Sequence, residues 1–294
     1  MKQSKPIRVV IYAVLIFFTL VFLYPVFCML TMSLMTNFEL NQFPPKWFPD
    51  APQWSNFKNI IGAFGYYGEN GDKAYVWVFL KNTVFIIAAQ AVGMVLSMTL
   101  CAYGFSKIKF KGRQIAFGVM LATIMIPGSV TMIPLFKEFK DFGWLDTLNP
   151  LWIPSWFGGG AMNIFLMRQF MRTIPDTLQE SAMIDGAGHL RIYAQIIMPN
   201  CKPMIFYNVL NIITNTWGDF FGPLMYVSSK EKWTVGLAVS NMVQSVDGNM
   251  NSVGMGSKGV QMATCVIMSL IPLITFVSGQ KNYVDNVTLT GIKG

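Results

Sequence analysis

Histidine is nearly absent from this chain, with His189 the single copy. Any site built on paired imidazole ligands or on a His-containing catalytic triad is therefore excluded or left to one residue. His189 itself reads first as an exposed helix residue. Cysteine is scarce too, and Cys28, Cys101, Cys201 and Cys265 show no paired spacing, so no disulfide framework or metal site is implied. No G-x-x-x-x-G-K-[ST] occurs, which excludes ATP binding by a P-loop on this chain. Gly254, Gly256 and Gly259 spell G-x-G-x-x-G, but they follow no strand and open no βαβ unit, so dinucleotide binding is rejected. Charge is the last scarcity: 12% of residues are charged against 53% apolar, too few for an ordinary soluble domain.

What replaces charge is a series of long apolar runs, most of them exceeding the roughly 20 residues needed to cross a bilayer. They predict an all-α, polytopic membrane protein with six spans near 9–33, 76–104, 114–136, 148–171, 203–227 and 259–280. The fifth is interrupted by Asp219. The first run is longer than a signal-peptide core and is followed by no A-x-A-like site, so it is expected to remain as an anchor.

The net charge of +8 then acquires a topological meaning. With the N-terminus inside, the inner segments carry Lys2, Lys5, Arg8, the cluster Lys107, Lys109, Lys111 and Arg113, then Arg168, Arg172, Arg191, Lys202, Lys281 and Lys293. Beside them stand only Asp176, Glu180, Asp185 and Asp285. This bias predicts both termini in the cytoplasm and removes the case for nucleic acid. The outer segments include Asn37 to Ala74, rich in Pro, Trp and Gly, which suits an ordered lip, and Ser228 to about Lys258.

Polar residues inside spans carry the functional signal. Asn208, Asn211, Asn215 and Asp219 fall at i, i+3, i+7 and i+11, one face of a helix. A carboxylate in hydrocarbon costs on the order of 3 kcal/mol, so this face meets water, a solute or another helix. Two readings stand, a hydrophilic translocation path and interhelical hydrogen bonding. In the third span Pro127 and Pro134 break an apolar helix, as a gate or as an accommodated kink.

Between the fourth and fifth spans lies a charged helix-turn-helix segment, 176–203. Pro175 ends the preceding run, Asp176 with Gln179 is placed to cap the next helix, and Gly186 and Gly188 supply a break after Asp185. A second helix would set Leu190, Tyr193, Ala194 and Ile197 on one face before Pro199. Taken alone, such a hairpin fits either a protein partner or the lipid surface.

At these residues the chain resembles the permease subunits of bacterial ABC importers, of the maltose-transporter type of carbohydrate permease. Glu180, Ser181, Ala182, then Asp185, Gly186, Ala187, then Ile196, Met198, Pro199 are similar to that family's E-A-A, D-G-A and I-x-L-P elements, with Ser181 in place of Ala and Met198 in place of Leu. AYGFSKIKFKGR, MIPGSVTMIPLF, NIFLMRQFMRTIPDTLQESA, NTWGDFFGPL and NVTLTGIKG extend the resemblance over nearly the whole chain. The resemblance implies a subunit of the bacterial cytoplasmic membrane without enzymatic activity or a cofactor of its own. It would pair with a second, homologous permease, two copies of an ATPase carrying ATP and Mg, and an extracytoplasmic solute-binding protein. It further implies that Glu180, Ser181, Ala182, Asp185, Gly186, Ala187 and Pro199 belong to a coupling helix seated in the ATPase, and that the tail through Gly291 to Gly294 reaches between the ATPase subunits. In that family type the sugar site lies mainly in the partner permease. A gradient-driven transporter and a membrane-embedded enzyme are the alternatives, but neither internal repeats nor a convergent reactive set is visible.

Overall fold

A computed structural model describes residues 5–63, 66–67, 73–74, 76–244 and 257–291 of the chain. Among them the protein is helical apart from a two-residue antiparallel ladder, Tyr66–Tyr67 with Lys73–Ala74. Among the described residues three helices are long and apolar enough to cross a membrane unaided: α1 (Lys5–Met32), α4 (Val76–Lys107) and α15 (Lys258–Gly291), whose qualifying stretch ends at Gln280. Contacts divide the chain into two units, Met1–Val76 with Val239–Leu270, and Trp77–Ala238 with Ile271–Gly294.

In the first unit α1 is exposed from Ile7 to Val26, apolar all round, the pattern of a helix solvated by lipid. The described residues just after it are tied together by hydrogen bonds around Glu39. Thr36 caps the short α2 (Asn37–Leu40), and its backbone N–H and hydroxyl both donate to Glu39 Oε2 at 2.7 Å. The Asp50 N–H donates to Glu39 Oε1, also at 2.7 Å. Burial opposes the Glu39 charge, but these donors outweigh it and hold the carboxyl below its ordinary pKa. After α3 (Ser55–Ala63), the start of α15 closes on the same segment: Asn37 Oδ1 accepts from the Lys258 N–H at 2.8 Å. Gly259 permits this approach, since a Cβ there would lie 2.6 Å from the Met35 carbonyl oxygen.

The second unit holds the larger core. Met94, Met98 and Ala102 of α4 pack with Met167 and Met171 of α8 (Ala161–Thr173) and with Ile192, Ile197, Cys201 and Met204. Methionine fills the irregular gaps left by helices of unequal length.

Three of the predicted spans are not single straight helices. The third is α5 (Arg113–Ala122), extended by a 3-10 turn to Met125, and α6 (Gly128–Asp141), bent by 98° about Ile126 and Pro127. Proline forces its predecessor extended, and Ile126 sits at ψ 115. Pro134 is accommodated inside α6. The fourth, expected over 148–171, is instead α7 (Asn149–Trp152), a 3-10 turn Ile153–Trp156, a glycine turn and then α8. Gly158, Gly159 and Gly160 all have positive φ, which only glycine adopts without cost. The fifth stops at Gly218 as α12 (Lys202–Gly218) and resumes as α13 (Phe221–Tyr226), with Asp219 at the break. The short helix α14 (Val235–Gln244) follows it.

Candidate functional site

The polar stripe of α12 lies along a cavity of about 830 Å3, and Asn208, Asn211, Asn215 and Asp219 all line it. Its other walls come from Gln90 and Met94 of α4, from Leu151 to Gly160, and from the first turns of α8. The irregular fourth segment is what shapes it. Trp156 lies on Gly93, where a Cβ would fall 2.1 Å from the indole ring, and its Nε1 donates to the Ala89 carbonyl at 3.1 Å. Gly159 is covered by Met94 in the same way, and Asn163 Nδ2 closes the turn by donating to the Gly159 carbonyl at 2.6 Å. The result replaces the middle of a span by a wall of backbone and amides.

Among the described residues the stripe's side chains hydrogen-bond only locally, within α12 and to the adjoining α13. Asn208 Nδ2 donates to the Met204 carbonyl one turn back at 2.8 Å, and its buried Oδ1 has no partner. Asp219 Oδ1 accepts from the Gly222 N–H at 3.1 Å, so this carboxylate starts α13 where α12 ends. Interhelical bonding falls to Gln90, which sequence reasoning passed over. Its Nε2 donates to the Leu151 carbonyl at 2.6 Å and its Oε1 accepts from the Thr216 hydroxyl at 2.7 Å. One amide in an otherwise apolar run was the available signal.

The second candidate element is the charged segment after α8. Here α9 (Asp176–Ile184) ends in a Schellman turn: the Gly186 N–H donates to the Met183 carbonyl at 3.0 Å and the Ala187 N–H to the Ala182 carbonyl at 2.9 Å, with Gly186 at φ +80. Nothing lies within 4 Å of a Cβ built on Gly186, so the turn, not a close approach, demands glycine.

Two local expectations are corrected. Asp176 and Gln179 form no capping box. Asp176 Oδ1 instead accepts from Lys107 Nζ at 2.7 Å, and that hydrogen bond holds its carboxyl below the usual range. The second helix begins as α10 (His189–Ile192), widens into a π turn over Tyr193–Ile197 and continues as α11 (Met198–Asn200) through Pro199. Ile192, Tyr193 and Ile197 are buried while Leu190 and Ala194 are exposed, and the π turn brings Ile192 and Ile197, five residues apart, to the same buried side. Tyr193 is fixed by a 2.7 Å hydrogen bond between its hydroxyl and that of Thr99.

Of the residues singled out in this segment, Ala182 is buried, Ala187 half-buried, and Glu180, Ser181, Asp185, Gly186 and Pro199 exposed. Ile184 and Leu190, 87% and 77% exposed, add an apolar tip. His189 is exposed, with Nδ1 3.4 Å from the Tyr103 hydroxyl. Gly254, Gly256 and residues 292–294 of the tail lie outside the described residues.

Residues 93–287 match the family described as binding-protein-dependent transport system inner membrane component. The chain belongs to this family. The permease aligns over its whole length with the galactooligosaccharides transport system permease protein GanQ of Bacillus subtilis, 30% identical and covering 99% of that protein. It is 28% identical to the arabinooligosaccharides transport system permease protein AraQ of the same organism, with both chains fully covered. A third relative is the sn-glycerol-3-phosphate transport system permease protein UgpE of Yersinia enterocolitica, 26% identical over 90% of each chain. Among solved structures, the fold of the permease is similar to a chain of a bacterial ABC transporter that imports the acidic polysaccharide alginate. The TM-score is 0.78 at 24% identity, covering 96% of this chain and 99% of that one. The permease is thus a multi-pass component of a transport system of the inner membrane, and its relatives are transport subunits, not enzymes.

Proposed function

We propose that this permease forms half of the translocation path of an ATP-driven importer for a sugar or oligosaccharide. The observation that carries the reading is the collection of Asn208, Asn211, Asn215 and Asp219 on one cavity wall inside a family of binding-protein-dependent permeases. Relatives named for oligosaccharide transport support the substrate class. In this reading the chain crosses the membrane six times, with α5–α6, α7–α8 and α12–α13 as broken spans. The inner excess of Lys and Arg supports cytoplasmic termini. Segment 176–203 is the coupling element between the fourth and fifth spans. Its exposed Glu180 and Asp185 beside the apolar tip of Ile184 and Leu190 suit a protein cleft. The partners are a second, homologous permease, two copies of an ATPase that carry ATP and Mg, and an extracytoplasmic solute-binding protein. ATP-driven closure would move the coupling element as a rigid body and switch a bistable bundle between its two faces.

The test is sugar-stimulated ATP hydrolysis in proteoliposomes, with the permease co-expressed with its genomic neighbours. Gly186→Trp and Glu180→Lys should abolish stimulation or ATPase assembly while the permease remains folded. Full stimulation in both variants, or no associated ATPase, rejects the reading.

A further inference from the structure

Family membership leaves the charge of the solute open, since relatives are named both for neutral oligosaccharides and for a phosphate ester. The cavity wall speaks to that question. Among the described residues its only carboxylate is Asp219, and no Lys, Arg or His lines it. The helix ends at the wall carry only partial charges: α8 begins there with its positive end, α12 finishes there with its negative end, each about half a charge, and the short α13 starts on Asp219 itself. What remains is the full negative charge of Asp219, in a recess where water screens it less than at an open surface.

Three amides of the α12 stripe keep hydrogen-bonding capacity to spare. Neither Asn211 nor Asn215 hydrogen-bonds through its side chain to another described residue, and Asn208 Oδ1 is buried without a donor. A primary amide offers donors and an acceptor together, and Asp219 adds acceptors. Groups of both kinds lie on the α12 face and its C-terminal end, and the apolar Met94, Leu151 and Leu166 line the same cavity. A ligand matching this wall donates and accepts hydrogen bonds, has an apolar face and carries no negative charge. The volume lies within the roughly 300–1,000 Å3 of sites that hold small ligands.

We infer that this chain holds a solute subsite of its own on the α12 wall, built for uncharged polyhydroxyl ligands and selecting against uronates and sugar phosphates. The inference rests on the translocation reading above and adds to it that this chain, not only a partner permease, contacts the solute and sorts it by charge.

Charged thiol reagents test it whichever saccharide is the natural substrate. In the assembled transporter with Cys28, Cys101, Cys201 and Cys265 replaced by serine or alanine, Asn211→Cys and Asn215→Cys are labelled with a trimethylammonium and with a sulfonate methanethiosulfonate. Each rate is normalised to that of a free small thiol. The cationic reagent is expected to be favoured by about tenfold or more. Asp219→Asn, which keeps the acceptor for the Gly222 N–H, should bring the ratio close to one. Maltotriose, galactotriose or arabinotriose should slow labelling, and trigalacturonate should not. A normalised preference for the sulfonate, or a ratio that Asp219→Asn leaves unchanged, overturns the charge selection. Protection by trigalacturonate, or by none of the neutral trisaccharides, overturns the polyol subsite. No labelling at either position in any nucleotide state rejects the translocation reading itself, a separate outcome.

Discussion

Gly186 and Gly93 are both glycines by necessity, for opposite reasons. A side chain at Gly186 meets nothing within 4 Å, so its substitution is penalised through the backbone, at about 1–2 kcal/mol for a residue forced left-handed. Asn tolerates that region better than a β-branched residue, so Gly186→Asn is expected to lower stability least and Gly186→Val to lose the full amount while still folding. Gly93 is a helical residue with no backbone demand, and there the obstacle is the Trp156 ring at 2.1 Å. Gly93→Ala should cost roughly 1–3 kcal/mol by overpacking, and shortening Trp156 to Leu should recover part of it. Thermal unfolding in detergent separates the two cases, because no second-site truncation rescues Gly186→Val. The sequence pointed to Gly186 through its place after a charged helix. Gly93, one small residue in an apolar run, carried no such mark, because its reason is a tryptophan far along the chain.

At the scale of elements, the irregular pieces decide where functional groups stand. Apolar run length located the helices, and Pro127 and Asp219 announced two of the breaks. The glycine turn 158–160 and the π turn 193–197 were not legible, since each is stabilised by partners distant in sequence, Met94 for the first and Thr99 for the second. Equally hidden was the junction held by Asp146, a residue at φ +53 between α6 and α7. Its Oδ1 accepts from the backbone N–H groups of Ser228 and Ser229 at 3.0 and 2.8 Å, and its Oδ2 from the Ser229 hydroxyl at 2.5 Å. The Ser229 hydroxyl and N–H, with Lys232, hold the carboxyl well below the usual carboxylate range. A group depressed on folding contributes stability above its unfolded pKa of about 3.9 and loses that contribution as pH falls towards its folded value. Asp146→Ala is therefore expected to lower the unfolding midpoint at neutral pH. The gap to the unmodified protein should persist at neutral pH and narrow progressively as pH falls below about 4, as followed by tryptophan fluorescence on acid titration.

If the 176–203 segment couples to an ATPase as proposed, its movement has to reach the cavity, and Lys107 occupies the junction. It is the last residue of α4, its side chain 2% exposed, and it belongs to the basic cluster that topology alone would assign to the inner surface. Instead its ammonium is turned inward, donating to the Ile174 carbonyl at 2.6 Å and to Asp176 at 2.7 Å, while the Lys107 carbonyl accepts from Gln179 at 3.4 Å. The helix that carries Gln90 and Met94 on the cavity wall is thus fastened at its other end to the first turn of α9. Removing the ammonium leaves the buried Ile174 carbonyl without this donor, a loss of about 1–3 kcal/mol. If the fastening transmits movement, Lys107→Met should lower sugar-stimulated ATP hydrolysis several-fold while unstimulated hydrolysis by the assembled complex persists. Lys107→Arg, which keeps a donor at the junction, should retain more of the stimulation. A parallel fall of stimulated and unstimulated rates in Lys107→Met would instead mean that the pair secures assembly. Coupling would then have to run through the buried face of Ile192, Tyr193 and Ile197, whose Tyr193 hydroxyl reaches the same α4 helix at Thr99.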